Sequence, residues 1–126
     1  EGPFGKSVTK VMRSSSNPPV LNRTMEFVSL LHAQELHDQT GFIIVTRAVT
    51  TPKDKQKQKQ TTSSSVLQSE ILLGVNLIRP IDGDPNRCLM INVTQIRSPM
   101  IPMIMANRIG TSAAANFIKD LRTALS

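Results

Sequence analysis

Tryptophan and tyrosine are absent from this chain, and phenylalanine occurs four times. Proteins that hold single-stranded nucleic acid stack its bases on aromatic side chains, so that mode of binding is not expected. Cys88 is the one cysteine, which rules out an internal disulfide and any multi-cysteine metal site. A lone thiol also fits a reducing compartment. No run of about 18 apolar residues occurs, so no transmembrane helix is expected. The opening stretch EGPFGKSVTK has the features of neither a signal peptide nor a transit peptide, and it lacks an initiator methionine. A processed product or a part of a longer chain is therefore expected.

Catalytic constellations are missing too. There is no glycine-rich phosphate loop and no nucleophile elbow. His32 and His37 are not at the alternate positions that a metal pair on a strand would need, so they read as surface histidines at a hairpin. Cys88 has no nearby histidine or helix N-terminus to lower its pKa, so a buried or half-buried thiol is expected rather than a nucleophile. Asp82 and Asp84 flank Gly83 without the regular acidic spacing of a calcium loop, and turn chemistry explains them. The sequons Asn22-Arg23-Thr24 and Asn92-Val93-Thr94, with no secretory signal, read as chance matches. We expect a non-catalytic protein with no cofactor and no metal.

The chain does have enough apolar residues to fold. At 126 residues and 39% hydrophobic content it makes one domain or less with one core. Its net charge is +6, with a pI near 10.1, so its partners should be anionic: phosphate backbones, acidic proteins or acidic lipid headgroups.

Polar–apolar alternation predicts a strand over Lys6–Met12, and the prolines make Arg13–Arg23 a loop. Thr24–Leu36 fits both periods, but Phe27 and Val28 favour a strand. His37–Gly41 is then a turn, and the β-branched run Phe42–Thr50 returns antiparallel. Thr51–Ser65 is polar, low in complexity and basic, and reads as a mobile loop. Ser69–Ile81 is strand-like, with Gly74 marking a bulge or a close approach. Asp82–Asn86 is a turn and Arg87–Arg97 the returning strand. From Pro102 to Leu125 the period becomes helical, with Gly110 as an interruption and Thr111 or Ser112 as a restart.

In this order the residues resemble the C-terminal half of a START domain, the lipid-transfer module related to the steroidogenic acute regulatory protein. NRTMEFVSLLHAQEL sits where that family has an Arg-Asp-Phe-Val strand, with Glu26-Phe27-Val28 in place of Asp-Phe-Val. In GFIIVTRAVTTP, Thr46-Arg47-Ala48-Val49 matches a common Ser-Arg-Ser-Val. GVNLIRPIDGDPNRCLMINVTQI is similar to the following hairpin, and IPMIMANRIGTSAAANFIKDLR to the closing helix. Ser98-Pro99-Met100 replaces the family's Gly-Trp before proline, and the basic tunnel residue of sterol-type members falls near Leu31. The likeness runs from about Lys6 to Leu125.

The resemblance implies an α+β fold, a curved antiparallel sheet gripping a long C-terminal helix. It also implies that part of the domain lies in a missing N-terminal half or a larger parent chain. It implies a lipid, of sterol or phospholipid type, in an apolar tunnel between sheet and helix. Within that picture, strand alternation turns one face of each strand to the cavity. That face carries Met25, Phe27, Ser29 and Leu31, then Ile44 and Thr46, then Leu72, Asn76 and Ile78. Ser29, Thr46 and Asn76 are candidate polar anchors. The helix would contribute Ile101, Met105, Ile109, Ala113 and Phe117. Lys53, Lys55, Lys57 and Lys59, with Met103 and Ile104, would dock on an anionic membrane surface, placing the protein in the cytoplasm and peripherally at membranes. Nucleic acid is not an expected partner. A regulatory protein-interaction module of the same fold is the alternative.

Overall fold

The computed structural model describes residues 6–18, 21–37, 40–49, 65–98 and 101–126. Five strands precede one helix: β1 (Ser7–Ser16), β2 (Thr24–Glu35), β3 (Phe42–Ala48), β4 (Val66–Ile81), β5 (Asp84–Arg97) and α1 (Met103–Leu125). The strands form a single sheet in chain order, each antiparallel to the next, so the fold is α+β.

Strand lengths decide the shape of this sheet. β3 has 7 residues, between β2 with 12 and β4 with 16. Beyond the end of β3, β2 and β4 meet directly and pair in parallel, Thr24–Phe27 against Val66–Ser69. Among the described residues, the buried apolar side chains Met25, Phe27 and Leu67 all belong to this junction. Ser29 and Ser69 are buried with them. The Ser69 hydroxyl lies 2.6 Å from that of Ser98, which follows β5 and leads into the helix.

Several boundaries differ from the sequence reading. β1 continues to Ser16, through residues expected to be loop, because Arg13–Ser16 pair with Val28–Met25. The Arg13 guanidinium donates to Glu26 Oε2 at 2.9 Å, and the connection closes where the Thr24 hydroxyl donates to Asn17 Oδ1 at 2.7 Å. Local propensity is weak in RSSS, so cross-strand partners decide it. The turn after β4 is tighter than DGDPN suggests. Ile81 already faces Asp84, and Gly83 adopts φ 76°. Asp84 Oδ1 accepts from the Asn86 backbone N–H at 3.1 Å, a local bond of the kind that makes aspartate a turn residue. Cys88, expected to be buried or half-buried, is exposed, because it sits on the edge strand near this turn.

The helix corrects the reading at Gly110. α1 runs unbroken from Met103 to Leu125, with Pro102 as its N-cap, and does not restart. Thr111 Oγ1 donates to the Asn107 carbonyl at 3.0 Å, one turn back, so it serves the helix interior rather than a cap. Arg122 lies in the last turn, where a cation suits the helix dipole.

Gly41 is required by its surroundings. Its φ is 143°, and a Cβ there would lie 2.0 Å from the Ile78 carbonyl oxygen. Gly83 has a positive φ but open space around it. Gly41→Ala should therefore lower unfolding stability by about 2–4 kcal/mol, against about 1 kcal/mol for Gly83→Ala, as read from urea midpoints.

Candidate functional site

Directly opposed residues of an antiparallel pair share a sheet face. Leu31 faces Thr46, Thr46 faces Gly74 and Gly74 faces Thr94; Ile44 faces Asn76, which faces Asn92. One face thus carries Thr46, Gly74, Asn76, Asn92, Thr94 and Ile96, and α1 lies over it. Between them is a cleft of about 570 Å³, with Gly110, Ala113, Ala114 and Phe117 as the helical wall. Those four positions follow helical i, i+3, i+4, i+7 spacing, so they form one stripe. None of the helix is buried; Met105, Ile109, Ser112 and Leu121 are half-buried, as is Ile101 just before it.

The predicted site residues do not gather in one place. Thr46, Asn76, Ala113 and Phe117 line the cleft. Met25, Phe27 and Ser29 are core at the β2–β4 junction, closing one end of the sheet instead of lining the cleft. Ile78 lines a separate depression of about 390 Å³ beside Gly41, Phe42 and Cys88. Leu31 and Ile44 are half-buried and outside the cleft lining. Leu72 is displaced by a register shift between Ile71 and Leu73: Ile71 faces Ile96 and lines the cleft in its stead. Met103 and Ile104 are 82% and 74% exposed. Lys53, Lys55, Lys57 and Lys59 lie outside the described residues, as does nearly all of the predicted polar loop.

The bulge could not be placed from the sequence to better than the vicinity of Gly74. A Cβ on Gly74 would lie 3.3 Å from the Thr46 Cβ and 3.5 Å from a methyl of Ile71, so the glycine keeps this part of the floor low. Asn92, Thr94 and Ile96 escaped the sequence reading, which assigned faces only as far as β4. The same alternation continued along β5 would have found them.

Two ion pairs are on the other face. Arg13 pairs with Glu26, and Arg97 with the largely buried Glu70. The Glu26 carboxylate also accepts from Gln68 Nε2 at 2.8 Å. The hydrogen bond from Arg13, then that from Gln68, hold its pKa below the ordinary value. Every residue lining the cleft is uncharged. Among the described residues, no group of histidine, cysteine and carboxylate side chains could hold a metal, and no helix is long and apolar enough to cross a membrane.

A depressed carboxyl pKa means that the bridge stabilises the fold above the ordinary value of 4.5 and is lost as pH falls through the folded value. The stability difference between the wild type and Glu26→Gln should therefore shrink as pH drops below 4.5 in a urea–pH titration.

Comparison with protein-family models, curated proteins and solved structures finds no match to this chain.

Proposed function

We propose that this chain binds a lipid, without catalysis, in the cleft between sheet and helix, in a helix-grip arrangement, and transfers it between membranes. One observation carries the reading: α1 spans the sheet with no buried residue and leaves a cleft of about 570 Å³ beneath it. A plain core would draw the helix down until its apolar stripe was buried. The volume falls within the range of about 300–1,000 Å³ typical of small-molecule sites. Burial of a lipid's apolar surface contributes about 25 cal/mol per Å². The START-like residue order supports the same assignment.

Membrane docking would use the exposed Met103 and Ile104 at the start of the helix together with the four lysines of the polar segment. Each lysine close to an anionic surface contributes about 1 kcal/mol, so their effect is collective. The protein would then act peripherally at cytoplasmic membrane surfaces, with the rest of the domain supplied by a larger parent chain.

Native mass spectrometry of the purified protein should show a co-purified lipid, or lipid taken up from liposomes. Ala113→Trp, which fills the cleft from its helical wall, should abolish uptake with little change in the unfolding midpoint. Protein that is empty and takes up no lipid would end this reading.

A second reading, a regulatory protein-interaction module, is favoured by the outer sheet face. Leu89, Ile91 and Val93 are 53%, 49% and 56% exposed there, on an edge strand with no charge between Arg87 and Arg97. Uncharged, apolar edges invite strand pairing. Under this reading, light scattering gives a dimer that Ile91→Lys converts to monomer; a monomeric wild type excludes this form of it.

A further inference from the structure

The cleft floor holds a polar cluster that apolar burial does not explain. Asn76 on β4 and Asn92 on β5 are directly opposed, and Asn92 Nδ2 donates to Asn76 Oδ1 at 2.5 Å. The Thr94 hydroxyl donates to Asn92 Oδ1 at 3.4 Å. Thr46 joins them on the same face from β3. Asparagine is disfavoured in strands. Here two of them face each other inside the otherwise β-favouring stretches GVNLI and MINVT. The local sequence gives up strand propensity to place amides at this point.

We infer that Asn76 and Asn92 form a neutral hydrogen-bonding subsite that receives the polar end of an uncharged amphiphile, a hydroxyl or an amide, and discriminates against ionised headgroups. This deepens the lipid-binding reading and rests on it. The bond between the two amides uses one N–H of Asn92 and one lone pair of Asn76. Both N–H groups of Asn76 and further acceptor capacity on both carbonyl oxygens remain. A hydroxyl donates and accepts at once, so it matches the pair from either side.

An ionised carboxylate or phosphate would find no counter-charge, because the lining holds no lysine, arginine or histidine. The register places Arg47, opposite Leu30, and Arg79, opposite Leu89, on the other face of the sheet. An anion leaving water for this cleft would lose hydration and gain only neutral amide N–H donors, with no counter-charge to offset the loss.

The test is competition against Nile red at pH 8, counting only the bound signal that Ala113→Trp removes. The competitors share one chain length and differ at the head: dodecane, 1-dodecanol and dodecanoate. Dodecanol should displace the dye at about five-fold lower concentration than dodecane, the gain of one net hydrogen bond. Dodecanoate should need at least ten-fold more than dodecanol. The double variant Asn76→Leu/Asn92→Leu should lose the preference, so that dodecanol and dodecane displace the dye at similar concentrations. Asn92→Thr alone, which restores strand propensity, should weaken that preference while remaining folded. If the wild type binds all three competitors equally, or both variants keep the preference, the subsite assignment is overturned and lipid binding stands. If no cleft-dependent dye signal exists, both readings fall together.

Discussion

The short length of β3 is the constraint on which the rest of the structure depends. Because β3 stops at Ala48, β2 and β4 are left facing each other and pair in parallel over Thr24–Phe27 and Val66–Ser69. Side chains from the two strands then crowd together, and this is where Met25, Phe27 and Leu67 lose nearly all contact with water. The helix is launched from the same place: the Ser69–Ser98 contact ties the end of β5 to the junction, and Ile101, Met105 and Ile109 follow with partial burial. The helix passes over a floor of amides, threonines, a glycine and two isoleucines without burying any of its own residues, and a cleft remains between them.

The two faces of the sheet consequently differ in chemistry. The face under the helix is uncharged where the cleft lies, and small helical residues, Gly110, Ala113 and Ala114, roof it. The opposite face carries the ion pairs Arg13–Glu26 and Arg97–Glu70, interleaved with exposed Leu30, Leu73 and Ile91. The ion pairs thus lie on the face away from the cleft, whose lining offers only apolar and neutral hydrogen-bonding groups. Two-sided apolar patterning also explains the ambiguity of Thr24–Leu36. When both faces of a strand carry apolar residues, alternation fades and the run fits a helix as well.

The number, type and order of elements were legible in the sequence, because each rests on local physics. β-Branched runs, the DG turn and the 3.6-residue period from Pro102 onward all act within a few residues. The ends of β1 and β4 were not, since RSSS and VLQ become strand only through partners on β2. The residues grouped by alternation on β2, β3 and the second half of β4 are opposed in register, so they share one sheet face. The grouping slipped at Leu72, where one residue in the bulge hands the cleft position to Ile71, since a one-residue shift reverses the side chain's direction. Cys88 was misjudged for a related reason, because burial depends on what lies beside a strand, and β5 is an edge.

By itself, then, the sequence determined an antiparallel α+β chain, its turns, its closing helix, and the face that β3 and most of β4 turn toward that helix. Those features follow from propensities and periods carried by neighbouring residues. Tertiary structure alone decided which of the inward residues became core and which line a cleft. Met25 and Phe27 share strand alternation with Leu31, yet they are buried where β4 replaces β3 beside them, and Ser29, opposite the last residue of β3, is buried next to them. Likewise, the opposition of Asn76 and Asn92 depends on the β4–β5 register, which the Asp82–Gly83 turn and the register shift between Pro80 and Ile81 set together, and no local pattern in either strand announces it.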